Sequence, residues 1–557
     1  MDSISSFVRR HADALAIAIV VITALTTLLF FNARMNEGGD DSMYICRAYD
    51  FIDICKYPNF QGPLYPIFLS VFIRMGFGIF ALKMTSVILL ALSQGLFYLS
   101  LRRHTPAWVL LSTMLLLALN PWFLEFGSLT YSEALFMVVQ WGAVWLAMRY
   151  DSLASSPSSP SPSSPDIKRT ILLGLGLAAL LVTLFLVRTV GFALAVAVIA
   201  FLLLRRHWRH VAILVGGIVV VFGLWVGIRT AVWGPDVKTG GQMETLLQKD
   251  PYDKSEGLED FSGFCERAIG NSDLYLSKHL TKMLGFLDKD SRTKSRPLSI
   301  LYIALLLTGC FFAWRRSRDA GPGMMMLGLS GLALVGVTFV SLQVMWDQYR
   351  LVVPFLPMIY AVLLFGVYHL ARLALKDRAK VVMAILVGLL VCTSCRQVGA
   401  KMDILTTRKN LKSDDLFGYT PDYYHYAQMC RYIGENEQLN KPEVYVACRK
   451  PEMARIYAGG KKFYGMYTIP STDPDTLVQT LRGRGVTHVI IASLRRDPAD
   501  PHGGVINTVH RYMAFILQKY PDFIRGIHAY GNENDEPAIL YEIKYPENSA
   551  LETSANN

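Results

Sequence analysis

Charge is what this sequence is short of. Only 18% of its 557 residues are Asp, Glu, Lys or Arg, 52% are hydrophobic, and the mean hydropathy is +0.32. These values exclude a soluble globular protein of this size. Acids are scarcer than bases, 44 against 55, which leaves a formal charge of +11. Certain motifs are missing too. No Walker loop, no G-x-G-x-x-G opening and no zinc-like Cys or His spacing occurs, so a soluble nucleotide cofactor is not indicated.

What is present, instead, is a series of apolar runs. Each can, with its flanks, cross about 30 Å of hydrocarbon. They lie at 14–31, 81–101, 107–119, 134–148, 170–186, 190–204, 211–232, 298–314, 324–344, 351–370 and 381–395. The expectation is a multi-pass α-helical membrane protein of about eleven spans. Basic residues near span ends stay in the cytoplasm. The groups Arg9/Arg10, Arg102/Arg103, Arg149/Lys168/Arg169, Arg205/Arg206/Arg209, Arg315/Arg316/Arg318 and Arg372/Lys376/Arg378/Lys380 fall in alternate loops. This pattern predicts a cytoplasmic N-terminus, with the net charge serving topology and anionic headgroups rather than nucleic acid. The first run lacks a small-residue cleavage pattern and reads as a retained anchor.

That topology puts residues 32–80, 233–297 and everything after Arg396 on the outer side. The expected domains are a membrane domain over 1–395 and an extracytoplasmic α/β domain over 396–557. A Ser/Pro tether within 151–166 lies on the cytoplasmic side. The long loop 233–297 has helical patterning near Leu246 and Leu274, which suits amphipathic helices lying on the membrane surface. In the last segment, 444–446, 487–491 and 538–543 read as strands, and 475–482 and 506–519 as helices. Cys46 with Cys55, and Cys430 with Cys448, are candidate disulfides, free thiols being the alternative. Tyr423, Tyr424, His425 and Tyr426 read as an exposed aromatic cluster.

Asp40 and Asp41 follow the first apolar run almost directly, and Gly62-Pro63-Leu64-Tyr65-Pro66 comes soon after. Ionisable groups where membrane meets water are costly unless they serve a site. Asp40-Asp41-Ser42-Met43-Tyr44, the Pro segment, the many spans and the external C-terminal domain together resemble the GT-C superfamily of membrane glycosyltransferases. The likeness is to the branch of protein O-mannosyltransferases and the lipid A aminoarabinose transferase. The branch carries an acid four positions before a Tyr, then a Pro-Pro-Leu-Tyr-Pro-like segment; here Gly62 replaces the usual first Pro. The resemblance implies a polyprenyl-phosphate-linked sugar donor and a lipid, protein or polysaccharide acceptor. It implies inverting transfer with Asp40 as general base, Asp41 beside it and no cofactor, the metal requirement staying open, while the short spans and the absence of a retention signal point to a bacterial inner membrane.

The leaving group of such a transfer is already a phosphate, so cations must hold it. Arg188 and Arg350 stand at positions where the superfamily carries Arg, and Glu133 in Thr130-Tyr131-Ser132-Glu133 at a place where relatives carry an acid. Tyr349, Tyr44 and Tyr65 complete the candidate substrate contacts, with Trp122 as a stacking surface. Each residue has a plainer reading: solvated loop acids for the Asp pair, a helix-start acid for Glu133, a snorkelling cation for Arg188, and a partner of Asp347 for Arg350. A lipid-linked sugar flippase is the rival function, against which stands the lack of internal repeats. A glycan-binding scaffold without catalysis is the third.

Overall fold

The computed structural model describes residues 7–155, 165–237, 246–251, 253–286, 294–317, 321–495, 506–532 and 535–546. The Ser/Pro tether (all but its two ends) and Arg318 lie outside them. Two compact units make up the chain. One is Met1–Phe31 with Ile54–Thr407; the other is Asn32–Asp53 with Arg408–Asn557. The first half of the expected outer loop 32–80 therefore belongs with the C-terminal segment.

The first unit is helical. Six of its helices are long and apolar enough to cross a membrane: Ile79–Leu101, Ile167–Val187, Trp208–Trp233, Arg296–Arg315, Pro322–Ser341 and the 49-residue run Val353–Lys401. The chain is a membrane protein. A seventh span forms if the bent pair Ala107–Ala118 and Pro121–Gly127 is counted as one. The expected eleven are not reached among the described residues, for three reasons. Ala12–Leu28 and Thr189–Leu204 are too short to count, and Val353–Lys401 joins two helices, Leu356–Leu375 and Ala379–Lys401. The 23-residue helix Ser132–Ala154 carries Glu133, Arg149 and Asp151. It buries Gln140, Trp141 and Asp151 against protein, and Asp151 pairs with Arg205 at 2.9 Å. A helix packed among helices has no need to be apolar all round.

The bend after Ala118 has a local cause. Asn120 accepts hydrogen bonds from the N–H groups of Trp122 and Phe123, and Pro121 opens the new turn. The Asn120 amide also donates to the Met283 carbonyl at 2.8 Å and to the Tyr360 hydroxyl at 2.9 Å. Trp122, Glu125 and Phe126 are thereby held in a short folded segment between two long helices.

Within the loop 233–297, the described stretch Asp273–Leu280 is not a surface layer. Phe261–Ser272 continues into a π-helical stretch, Asp273–Leu280, whose residues are all buried and which packs on Arg296–Arg315.

The second unit holds a five-stranded sheet: β1 Val446–Cys448, β2 Phe463–Gly465, β3 His488–Ala492, β4 Ile524–Tyr530 and β5 Ala538–Ile543. Their order is β2-β1-β3-β5-β4. β1 is parallel to β2 and β3, whereas β5 is antiparallel to β3 and β4. Helices Pro474–Gly483 and Thr508–Lys519 share one core with Ala447, Val489 and Ile543. Helix Pro421–Glu435 packs against β4 and β5, and its Tyr426 meets Cys448. Because side chains alternate along a strand, Ala447 and Cys448 face opposite ways. The domain therefore has three layers.

One expectation is corrected here, and one open alternative is decided. Tyr423 and Tyr426 are 2% and 0% exposed, so they form an interior seam and not an exposed cluster; only Tyr424 is exposed. All eight cysteines are free, Cys430 and Cys448 being buried thiols in this core.

Candidate active site

In the second unit, helix Asp40–Ile54 carries the acid pair in its first turn. The segment before it is stitched into the unit along its length. Ala33 N–H donates to Asn410 at 2.6 Å, Tyr419 hydroxyl to the Met35 carbonyl at 2.6 Å, and Lys450 Nζ to the Glu37 carbonyl at 2.7 Å. Arg455 then grips the far end of the helix through Asp50 at 2.6 Å and Asp53 at 3.2 Å. Asp40 and Asp41 differ sharply. Asp41 is fully buried, and its two oxygens accept the N–H groups of Asn36 and Ser42, each at 2.8 Å. It organises the turn that starts the helix. Asp40 is half-buried, one position nearer the helix end, where the macrodipole favours its charge. Tyr44 is buried at 1% exposure on the inner face of the same helix.

The other candidates lie in the first unit. Glu133, at the start of its helix, forms an ion pair with Arg188 at 2.5 Å, both groups largely buried. Arg350 lays its guanidinium over the Tyr131 ring at 4.8 Å. Two arginines thus converge on Thr130-Tyr131-Ser132-Glu133 from different segments. The Pro segment supports one of them. A Cβ on Gly62 would stand inside van der Waals distance of the Leu186 carbonyl oxygen and 2.6 Å from that of Val187. Only glycine lets this backbone press on the turn that presents Arg188. Gly62→Ala is therefore expected to destabilise the protein by about 1–3 kcal/mol, seen as a lower melting temperature in detergent. An unchanged melting temperature would contradict the contact. Tyr65, next along, is buried at 1% exposure and stacks with Phe68.

Sequence reasoning named Tyr349 and Trp122 but missed the charged side chains that gather around them. Tyr349 donates to Glu125 at 2.6 Å and meets Trp122 edge-on at 5.1 Å. Lys282 and Lys401 both stand over the Trp122 ring, at 3.8 and 3.2 Å, and Lys401 lies 3.6 Å from Glu125. Asp347, which the sequence offered as a partner for Arg350, accepts from Lys278 at 2.8 Å and from His279 at 2.8 Å. The π-helical turn brings these two neighbouring residues to one carboxylate. Asp347 itself holds a left-handed backbone, φ 32°, where Asp is among the better tolerated residues. Lys83, fully buried, donates to the Ser128 carbonyl at 3.1 Å. Among the described residues, Lys83, Arg188, Lys278, Lys282, Arg350 and Lys401 gather here with Glu125, Glu133 and Asp347. Such a gathering of partly buried cations suits a multiply charged anion.

His279 does not add to that charge. Burial, outweighing the attraction of Asp347, lowers it to about 4, and Lys278 and Lys282 act in the same direction as burial. Its folded value lies below the ordinary one of about 6.5. The stability it confers is complete above pH 6.5 and lost as pH falls towards 4, amounting to about 3 kcal/mol. The melting temperature of the wild type should fall through that window, and His279→Gln should flatten the slope. An identical slope in the variant would contradict this.

Close to the π-helical turn, a cavity of about 150 Å³ opens between Arg296–Arg315, Pro322–Ser341 and Leu356–Leu375. Leu276, Ile303, Leu306, Leu307, Phe339 and Met358 make its wall apolar. Among the described residues, no three His, Cys, Asp or Glu side chains stand together as a metal-ligand set.

No protein-family model and no curated protein sequence matches the chain. Solved structures do. The chain is similar to ArnT from Cupriavidus metallidurans bound to undecaprenyl phosphate, with TM-score 0.54 and 13% identity over 94% of this chain and 97% of that one. It is also similar to the oligosaccharyltransferase AglB of Archaeoglobus fulgidus in complex with an inhibitory peptide and a dolichol-phosphate. There the TM-score is 0.50 and the identity 11%, over 95% of this chain and 74% of that one. A second structure of the A. fulgidus enzyme, with Zn and sulfate, gives TM-score 0.53 and 11% identity over 94% and 72%. The fold is that of GT-C glycosyltransferases.

Proposed function

We propose that the chain transfers a sugar from a polyprenyl-phosphate-linked donor to an acceptor hydroxyl or amine, with inversion. The observation that carries the reading is the convergence of Lys282 and Lys401 on Trp122, beside Tyr349, in a chain with the fold of enzymes solved with polyprenyl phosphates. The acceptor oxygen or nitrogen attacks the anomeric carbon as Asp40 takes its proton, and the bond to phosphate oxygen breaks. The polyprenyl phosphate departs with the bonding pair, and within the first unit Lys282, Lys401 and Arg350 are the cations suited to bind such a phosphate. Arg188 and Glu133 hold one another and position the turn that carries Tyr131. The apolar cavity beside Leu276 takes part of the isoprenoid tail, which has no polar group to satisfy.

The basic-loop pattern supports a cytoplasmic N-terminus with the C-terminal unit on the outer side, which in the proposed bacterial inner membrane is the periplasm. The test is direct. Purified protein in detergent is incubated with undecaprenyl-phosphate-linked sugars and an extract of membrane glycoconjugates, and release of undecaprenyl phosphate is followed by mass spectrometry. Acceptor-dependent release supports the reading. Movement of intact donor across a vesicle membrane, with no covalent product, would overturn it in favour of a flippase.

A further inference from the structure

The parallel strands of the second unit all end at one edge. β1 runs into Arg449 and Lys450, β2 into Met466 and Tyr467, and β3 into Ser493, Leu494 and Arg495. From β1 the chain passes to β2 on one side and then to β3 on the other. Ligands of open α/β sheets sit outside the carboxyl ends of the strands at such a switch point.

This edge is built as a site. The Tyr467 hydroxyl is held by both oxygens of Glu452, at 2.7 and 2.6 Å, while the residue stays 47% exposed. An aromatic ring is thus fixed in one orientation with part of its surface open to solvent. Arg449 stands 5.5 Å from the centre of that ring and makes no ion pair among the described residues. Across the switch point, fully buried Asp422 accepts the Arg495 N–H at 2.6 Å, and its other oxygen has no hydrogen-bond partner among the described residues. Leu494, next to Arg495 in the chain, holds a left-handed backbone at φ 47°, a conformation costly for a leucine and typical of ligand clamps. Burial lowers Lys450, Arg449 acts in the same direction, and Glu37, Glu452 and Asp40 oppose them. Asp40 is therefore within electrostatic reach of this edge.

We propose that the carboxyl edge of the β2-β1-β3 sheet is the acceptor site and that it takes a negatively charged saccharide. The Tyr467 ring is the platform for the apolar face of a pyranose, whose hydroxyls remain free for polar partners. The Arg449 guanidinium, with no carboxylate paired to it among the described residues, binds the phosphate or carboxylate of that sugar. The assignment rests on the transferase reading for its meaning, since Asp40 in the same unit then serves the acceptor it deprotonates.

Binding can be measured without any chemistry. Ligand-observed NMR on the full-length protein in detergent uses glucose 6-phosphate, glucose and inorganic phosphate as probes. Glucose 6-phosphate should bind at least about 10-fold more tightly than glucose or phosphate. Arg449→Ala should abolish that preference, and Arg449→Lys should restore part of it. Arg449→Ala removes no ion pair among the described residues, so the variant should melt as the wild type does. Equal binding of glucose 6-phosphate by wild type and Arg449→Ala would overturn the proposal, and so would inorganic phosphate binding as tightly as the sugar phosphate. Asp40→Asn separates the two ideas. Should it transfer sugar at full rate while the Arg449 dependence holds, the base assignment fails and the acceptor site stands.

Discussion

Asp40→Asn lowers the rate of sugar transfer by about 10²–10⁴-fold, the usual contribution of a positioned general base, and leaves binding of undecaprenyl phosphate unchanged. The change removes one negative charge and almost no volume, so the start of helix Asp40–Ile54 keeps its shape. Asp41→Asn behaves differently. Asp41 is fully buried and spends its two oxygens on the N–H groups of Asn36 and Ser42. An amide can accept only one of those hydrogen bonds with its oxygen and sets a donor against the other. The Asp41 variant therefore loses stability by about 1–3 kcal/mol, and its activity falls with its folded fraction. Melting curves and single-turnover rates measured side by side distinguish the two carboxylates. A stable, fully active Asp40→Asn protein would remove the base.

Lys282→Gln weakens binding of undecaprenyl phosphate by about 10–100-fold, the value of one charge-assisted hydrogen bond in a shielded site. Lys282 is 3% exposed and sits between the Trp122 and Tyr349 rings, at 3.8 and 5.6 Å from their centres. The rings exclude water around the ammonium and strengthen any contact it makes to phosphate. The loss should appear in donor KM and in equilibrium binding, with the rate at saturating donor little changed. Added salt should narrow the gap between wild type and variant. A variant that binds undecaprenyl phosphate as tightly as the wild type would show that this cluster is structural.

The sequence made some of this legible and hid the rest for physical reasons. The C-terminal strands at 488–492 and 538–543 and the helices around 474–483 and 508–519 were readable within a residue or two, because alternation and helical spacing are local. β2 and β4 were not. β2 is three residues long, and β4 exposes much of its surface and carries a register shift at Gly526/His528. Glu133 and Arg188 were singled out separately, yet nothing in the chain shows that residues 55 positions apart form one buried pair. The attachment of 32–53 to the C-terminal unit is likewise a matter of contacts such as Arg455 with Asp50, which no local pattern encodes. Lys278 and His279 reach the same carboxylate only because the backbone there is π-helical, a register that hydrophobic spacing does not predict. Gly62 looked like a mild departure from a proline motif. Its true constraint, contact with the Leu186 and Val187 carbonyls, becomes visible only once both segments are folded.

The central claim is that this membrane protein moves a sugar off a polyprenyl phosphate, and the cell offers its most direct test. Lipids and glycoconjugates from cells that carry the wild-type chain, or the Asp40→Asn chain at equal abundance, are compared by mass spectrometry. The account predicts that one class of glycoconjugate loses the mass of a single sugar in the variant while the polyprenyl-phosphate-linked form of that sugar accumulates. Identical glycoconjugate and lipid-linked sugar profiles in the two strains would contradict it.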